Sequence, residues 1–207
     1  TGSFAHGWAE IAENMGIKTQ IIEFGTHSPI DAGFIEEALR ADVHKKIKAV
    51  LVTHVDTSSS VRNDVHSVRL ALDACHHPAL LAADCVASLA CDTFEMDNWG
   101  VDIMVAGSQK GLMVPPGISF VYFNERAKIV QTSLSRVSSY WNWAPRIAPQ
   151  RYYEYFCGTA PTQHIYGLRV ALDMIRYEGL DAIFARHEIL ARAIWSAVEC
   201  WGAGDGK

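Results

Sequence analysis

Apolar residues recur along this chain with two different spacings, and segments with one spacing alternate with segments with the other. Intervals of three and four residues predict helices over 5–15, after a cap at Asp31 and after a cap at Asp64. Alternating or continuous apolar runs predict strands over 18–24, 47–55, 79–84 and 101–106. This order is typical of an α/β fold, in which helices cover both faces of a mostly parallel sheet.

One further strand does not fit the parallel arrangement. The apolar run 118–123 begins about ten residues after the run 101–106 ends, and the link between them contains Pro115 and Pro116. A parallel return needs a crossover of roughly a dozen residues or more, usually a helix. The short link therefore predicts that 118–123 pairs antiparallel with its neighbour.

The pattern changes after residue 124. Residues 138–155 are aromatic and loop-like, and two long helices are predicted over 162–177 and 180–201, with a break at Gly179. The second helix would bury an apolar stripe, although no later segment of the chain is there to cover it. The stripe consists of Ile183, Phe184, Ile189, Leu190, Ile194 and Val198.

Composition excludes several classes of protein. The chain has 207 residues, of which 49% are hydrophobic and 20% charged, as in a globular domain. Its net charge of −5 argues against nucleic-acid binding, and no apolar run reaches the roughly 18 residues that span a bilayer. The five cysteines include no C-x-x-C pair, which predicts buried, reduced thiols such as Cys85 and Cys91 and a cytoplasmic location. No metal-binding motif is present, so we expect no metal.

Polar side chains follow the predicted parallel strands at the edge where such sheets bind their ligands. Asp84 ends one apolar run, Lys110 follows another, and the hydroxyls of 57–60 follow a third together with His54. A carboxylate in apolar surroundings needs a partner, and a desolvated lysine forms Schiff bases.

Each of these residues also has a purely structural interpretation. Asp84 could cap a helix or pair with an arginine, and Lys110 could be an exposed loop lysine. The hydroxyls of 57–60 could cap a helix. His54 is more typical of a buried histidine with satisfied hydrogen bonds, and Phe4 taken alone is typical of a core residue.

Taken together, these residue types favour pyridoxal phosphate. The lysine amine would bind the cofactor aldehyde, the carboxylate would pair with the pyridinium nitrogen, and hydroxyls and helix ends would hold the oxygens. The same segments carry a resemblance to a known family. Residues 53–59, 84–89, 99–102, 107–112 and 115–117 resemble the class V aminotransferases, most closely their serine–glyoxylate and alanine–glyoxylate branch.

The resemblance implies a role for each matching position, on the α/β fold of fold type I pyridoxal-phosphate enzymes. Asp56 stands where the family has glutamate, and Ser60 where it has glycine. The implied catalytic residues are Lys110, the Schiff-base lysine and proton carrier, and Asp84, the partner of the ring nitrogen. The implied cofactor contacts are Phe4 and Val86 on the ring faces, Thr57 near the ring oxygen, and Gln109 and Thr159 on the phosphate. The resemblance further implies a homodimer with shared active sites, in which the partner subunit supplies Thr159.

The resemblance also implies a division of the chain. Residues 1–130 would be part of a cofactor-binding large domain, and residues 131–207 would be an aromatic loop and helices leading to a small domain outside the chain. A glycine-rich phosphate-binding turn and a substrate-binding arginine, both expected in the family, do not match any position here. We therefore expect the cofactor core of a longer protein.

Three functions remain open from the sequence. The favoured one is transamination from a small amino acid, serine or alanine, to a small oxo acid such as glyoxylate. A desulfurase-like lyase of the same fold usually has histidine at the positions of Gln109 and Phe4. A non-catalytic scaffold relative would have little reason to keep both Lys110 and Asp84.

Overall fold

The computed structural model describes residues 1–203 of the chain. The residues 204–207 that end the predicted segment 131–207 lie outside this part. In chain order the elements are α1 (Ser3–Asn14), α2 (Ala32–Ala41), β1 (Ala49–Thr53), β2 (Val55–Asp56), β3 (Val61–Arg62), α3 (Val65–Ala74), β4 (Leu80–Asp84), β5 (Ile103–Gly107), β6 (Ser119–Phe123), α4 (Glu125–Ser133), α5 (Ala144–Ile147), a 3-10 helix (Tyr152–Tyr155), α6 (Thr162–Glu178) and α7 (Leu180–Gly202).

Four strands form the main sheet, in the order β1-β4-β5-β6. Strands β1, β4 and β5 are parallel, and β6 is antiparallel to β5, with Val105 opposite Val121. The mostly parallel sheet and its one antiparallel strand confirm the α/β prediction. The link of 108–118 is too short for a crossover, so the chain turns back beside β5.

The core lies around β4, whose residues from Leu80 to Ala83 are all buried. One cluster packs Leu81 and Ala83 of this strand against α2 and α3, through Leu39, Val65, Val68 and Leu72. A second cluster joins α6 and α7 to the loops that follow β4 and β5, through Ile175, Ile183, Ala90 and Leu112. A continuous apolar strand such as β4 is stable only when helices or loops remove both its faces from water.

The strand predicted over 18–24 is wrong, because these residues form no strand in the structure. Within residues 1–203, β1 is the edge of the sheet, and a cavity of about 790 Å³ lies between it and residues 17–25. An alternating pattern becomes a strand only where the backbone finds a hydrogen-bonding neighbour about 4.8 Å away. None of the backbone hydrogen bonds described for residues 1–203 joins this segment to a strand, and Ile21 remains 49% exposed.

The run predicted over 47–55 is divided in two. Strand β1 ends at Thr53, and after a bend at His54 the chain forms β2, which pairs antiparallel with β3. Ser60 in the connecting turn has a φ of 58°, in the left-handed region that favours glycine. The structure thus accounts for the glycine that the resemblance places at this position.

The C-terminal helices confirm the break at Gly179, which has a φ of 85°. Of the apolar stripe expected to be buried on α7, Ile183 is buried, whereas Ile189, Ile194 and Val198 are more than half exposed. Helix α4 was not predicted. Its side-chain cap Asn124 accepts a hydrogen bond from the N–H of Ala127, but the helix buries too little apolar surface to give a clear pattern.

The cysteines are only partly as predicted. Cys85 is buried, and burial raises the pKa of its thiol to about 12, which keeps it protonated. Cys157 and Cys200 are exposed, against the expectation of buried thiols, because they lie on the aromatic loop and on the outer part of α7. All five cysteines are free. No helix within residues 1–203 combines the length and apolarity needed to cross a membrane.

Candidate functional site

The carboxyl ends of β1, β4 and β5 meet at one edge of the sheet because the three strands are parallel. Thr53 at the end of β1 is in register with Asp84 at the end of β4, and Asp84 is in register with Val105 of β5. The segments that leave these strands, 54–60, 85–92 and 108–114, therefore begin at the same edge. The predicted positions Thr57, Val86, Gln109 and Lys110 lie on these segments, and Asp84 ends β4 at the same edge.

Asp84 is half-buried at the centre of this edge. Its Oδ1 accepts a hydrogen bond of 2.8 Å from the backbone N–H of Val86. Burial raises the pKa of the Asp84 carboxyl; the Val86 N–H opposes this rise, and the negative charge of Asp56 adds to it. The salt bridges among residues 1–203 do not include Asp84, so the arginine pairing considered from sequence is not found. A carboxylate in this position favours a positively charged partner.

The turn that carries Lys110 is fixed by the buried hydroxyl of Ser108. Its Oγ donates to the carbonyl of Pro115 at 2.8 Å, and the Ser108 carbonyl accepts from the N–H of Val114 at 3.0 Å. Leu112 and Val114 point into the protein and are buried. Lys110 is exposed, in agreement with the exposed loop lysine that the sequence left open as its structural interpretation. Leu112 and Val114 anchor the turn, so the amine faces outward at the open edge of the sheet.

Gly111 holds the Lys110 turn against the loop that follows β4. A Cβ at this position would overlap the carbonyl oxygen of Leu89 and lie 2.7 Å from Sγ of Cys91. This close approach requires glycine. The sequence analysis did not identify Gly111 as a site residue; its only signal was its place directly after the candidate lysine.

Phe4 reaches the same edge through the start of α1. The buried carboxylate of Asp56 accepts hydrogen bonds from the backbone N–H groups of Phe4, at 3.0 Å, and Ala5, at 3.2 Å. Phe4 is 55% exposed, so it is not a core residue. Thr57 follows Asp56 directly and is exposed. Asp56 thus places an aromatic ring and a hydroxyl near the end of β1.

The Asp56 carboxylate is strongly stabilised where it lies. Burial raises the pKa of this carboxyl, but hydrogen bonds together outweigh burial, so the pKa lies below its ordinary value. These hydrogen bonds come from the Ser58 hydroxyl and from the N–H groups of Ser58, Ala5 and Phe4. Ser58 Oγ also accepts from the N–H of Ser3 at 2.7 Å. The capping role considered for the hydroxyls of 57–60 is therefore performed by Ser58, toward α1. The sequence analysis missed Asp56 as a member of this arrangement.

His54 is a structural residue, as the sequence favoured. Its Nδ1 lies 2.9 Å from Oγ of Ser88, and its ring packs against Phe94 and Trp99 at centroid distances of 5.2 and 6.1 Å. Burial lowers the pKa of the imidazole, which favours the neutral form. The backbone N–H of His54 also donates to the carbonyl of Asp84, which ties the end of β1 to the end of β4.

Thr159 is not brought to this edge by a contact within the chain. It is exposed on the loop before α6, and none of the hydrogen bonds described for residues 1–203 joins it to Asp84 or Lys110. The nearest tie is indirect: His164 Nε2 lies 3.1 Å from the carbonyl of Pro116, in the loop that follows the Lys110 turn.

The arrangement suits a flat, cationic ring that carries a reactive carbonyl. Asp84 provides a half-buried carboxylate without a described cation, Lys110 an exposed amine, and Phe4 an exposed aromatic face. An amine condenses with an aldehyde, and a carboxylate stabilises a protonated ring nitrogen. The residues present therefore fit pyridoxal phosphate.

Comparison with known proteins points to one family. The family model described as Aminotransferase class-V matches residues 3–199. The chain is 39% identical to a serine–glyoxylate aminotransferase of Methylorubrum extorquens and 37% identical to an L-aspartate–glyoxylate aminotransferase of Paracoccus denitrificans. Each match covers 97% of this chain, but only 51% of the first relative and 50% of the second. The crystal structure of an alanine–glyoxylate aminotransferase from Nostoc sp. superposes with a TM-score of 0.86 at 26% identity, over 97% of this chain and 52% of that one. The chain thus spans about half the length of the curated relatives it matches.

Proposed function

The chain belongs to the class V aminotransferases, and on that premise we propose that its protein transfers an amino group from a small amino acid to a small oxo acid, with pyridoxal phosphate as cofactor. Its fold is the fold type I of that group of enzymes. The observation that carries the proposal is Asp84, a half-buried carboxylate without a described salt bridge, at the same sheet edge as the exposed amine of Lys110.

The cofactor would be held by residues from five segments. Lys110 would bind it covalently through Nζ, and Asp84 would bind the ring nitrogen. The remaining contacts are Phe4 and Val86 on the two ring faces, Thr57 at the ring oxygen, and Gln109 and Thr159 at the phosphate. The exposure of Phe4, Thr57, Gln109 and Lys110 at one edge supports this assignment, since a ligand there would meet their side chains.

When bound, pyridoxal phosphate supplies an electron sink for the electron pair that remains on the donor's α-carbon after its proton is removed. Asp84 would support this chemistry by favouring a positive charge on the ring nitrogen, because its carboxylate is partly removed from water. Lys110 would supply the amine that holds the cofactor, and its Nζ would carry the proton removed from the donor's α-carbon. The Ser108 hydrogen bonds hold the turn that carries Lys110.

The substrates are proposed from the relatives. The donors named for them are serine, alanine and aspartate, and the acceptor in each case is glyoxylate. We propose serine or alanine as the donor and glyoxylate as the acceptor, with aspartate as a further donor to be tested. All are small and carry a carboxylate.

Two residues distinguish transamination from a lyase reaction. The desulfurase-like relatives usually have histidine before the lysine and histidine on the ring face, whereas here Gln109 precedes Lys110 and Phe4 occupies the ring-face position. Transamination remains the proposal, because neither position offers the second acid–base group that such a histidine provides.

The assembly is also a proposal. We propose a homodimer in which Thr159 enters the partner's site, because Thr159 makes no described contact with Asp84 or Lys110 in its own chain. The division near residue 130 and a cytoplasmic location stay predictions.

An absorbance titration tests the function. The intact protein is loaded with pyridoxal phosphate, and serine, alanine, aspartate and cysteine are added in turn. A transaminase shows loss of the aldehyde-derived band with its true donor, and glyoxylate restores the band. Release of sulfide from cysteine would favour the lyase instead. No cofactor band at any pyridoxal phosphate concentration would support a non-catalytic relative.

A further inference from the structure

Helix α1 begins without a capping side chain of its own. Its N-cap is Gly2, which has no side chain to accept a hydrogen bond, and its first turn contains no acidic residue. The first N–H groups of a helix need acceptors from elsewhere. Here the acceptors come from residues more than 50 positions away: Ser58 Oγ accepts from Ser3, and Asp56 accepts from Phe4 and Ala5.

This contact is closely fitted on both sides. A Cβ at residue 2 would overlap the carboxylate of Asp56, and Gly2 has a φ of 89°, which L side chains rarely adopt. Asp56 is completely buried. An aspartate is seldom fully buried unless it is paired, and here the N–H groups at the start of α1 are among its partners. The glycine and the carboxylate therefore form one unit that fixes the start of α1.

Little else fixes this end of the helix. Helix α1 contains no fully buried residue, and Phe4 is 55% exposed. The Phe4 ring is thus located by its backbone, and its backbone is located by the Asp56 carboxylate.

We propose that Asp56 is a positioning residue, which holds Phe4 at the carboxyl edge of the sheet where its ring lies on the bound cofactor. The inference rests on the proposed function. Asp56 does not touch the cofactor; it acts through the N–H groups of Phe4 and Ala5. Its negative charge also adds to the field around Asp84, which favours a cationic ring at that place.

The experiment compares three variants of the intact protein: Asp56→Ala, Phe4→Leu and the double variant. The affinity for pyridoxal phosphate is read from its absorbance. We expect each single variant to bind it about tenfold more weakly, in line with the loss of a ring contact, and the double variant to bind no more weakly than Asp56→Ala. Hydrogen exchange at residues 1–16, measured without cofactor, should accelerate in Asp56→Ala and not in Phe4→Leu.

The matched control is Asp31→Ala. Asp31 caps α2 by accepting from the N–H of Gly33 at 2.8 Å, so its loss costs a similar helix cap. We expect this variant to lose stability without losing affinity for pyridoxal phosphate. If Asp56→Ala does not fold, Asp56→Asn replaces it, since its single amide oxygen cannot accept both from the N–H groups of Phe4 and Ala5 and from the N–H of Ser58.

The outcomes separate this inference from the proposed function. Failure of the wild-type protein to bind pyridoxal phosphate overturns both. Wild-type affinity in Asp56→Ala overturns the positioning role alone, as does a double variant whose losses in binding free energy simply add. An equal loss of affinity in Asp31→Ala would show that only general stability is at work, and would also overturn it.

Discussion

Gly111 packs against the carbonyl oxygen of Leu89, and this contact joins the two segments that carry the candidate catalytic groups. Leu89 lies on the loop that follows Asp84, and Gly111 directly follows Lys110. The two functional side chains therefore depend on one close backbone approach that no other residue type permits.

Substitution of Gly111 by alanine should destabilise the protein. The added methyl group would overlap Leu89, and overpacking of this kind costs about 1–3 kcal/mol. The free energy of unfolding in urea measures the effect. Gly7→Ala is the control, because Gly7 lies inside α1 with open space around it, and alanine there should add roughly 0.5–1 kcal/mol. Unchanged stability in Gly111→Ala would mean that the two segments are not in contact.

Replacement of Lys110 by alanine should abolish covalent attachment of pyridoxal phosphate. Borohydride reduction of the loaded wild-type protein fixes the cofactor to a lysine, and mass spectrometry of its peptides identifies which one. Lys128→Ala is a suitable control, because Lys128 pairs with Glu125 on the surface of α4. A fixed cofactor that persists on another lysine in Lys110→Ala would refute the assignment.

Replacement of Asp84 by asparagine should leave the shape of the site intact and slow proton transfer. The side-chain oxygen still accepts from Val86, but the charge that holds a proton on the ring nitrogen is gone. The rate with serine or alanine should fall about a hundredfold or more, equivalent to roughly 3 kcal/mol at about 1.4 kcal/mol per tenfold. Stopped-flow absorbance with α-deuterated donor isolates the step. Asp97→Asn, a change at an exposed carboxylate, should have no effect.

Without cofactor, the same substitution should stabilise the protein near neutral pH. The pKa of Asp84 is raised above its ordinary value of 3.8, mainly by burial, so the folded state binds the proton more tightly than the unfolded state. Stability therefore falls as the pH rises through the window above 3.8. Urea unfolding should show Asp84→Asn more stable than wild type at pH 7, with the difference vanishing below pH 3.8. A constant difference at all pH values would contradict this account.

Mixed subunits should recover activity if the sites are shared. A Thr159→Ala subunit and a Lys110→Ala subunit are each defective, but a mixed dimer would contain one site with both residues intact. In a random mixture about half of the dimers would contain one subunit of each kind, and each of these would have one intact site. An aminotransferase assay after dissociation and reassociation measures the recovered activity. A protein that sediments as a monomer and still binds the cofactor fully would refute shared sites.

The sequence located the principal candidate residues, because the relevant patterns are local. Asp84 ends one continuous apolar run, and Lys110 follows another. Because parallel strands place their carboxyl ends at one edge of the sheet, the order of the strands was enough to predict that both lie at that edge. The antiparallel β6 followed in the same way from the length of the link before it. The prediction that His54 is a buried histidine with satisfied hydrogen bonds was also correct, since a polar residue inside an apolar run is usually buried and paired.

Tertiary structure decided whatever depends on a distant neighbour. Residues 18–24 alternate as a strand should, yet they form none, since none of the hydrogen bonds described for residues 1–203 pairs their backbone with a strand. The outward direction of Lys110 was set by the burial of Leu112 and Val114, and the position of Phe4 by the Asp56 carboxylate. The spacing of apolar residues indicates which side of a segment is buried. It does not indicate which other segment packs against that side or forms hydrogen bonds with its backbone. For this reason the sequence determined most of the elements and the residue types at the sheet edge, whereas only the folded chain determined how those groups are held.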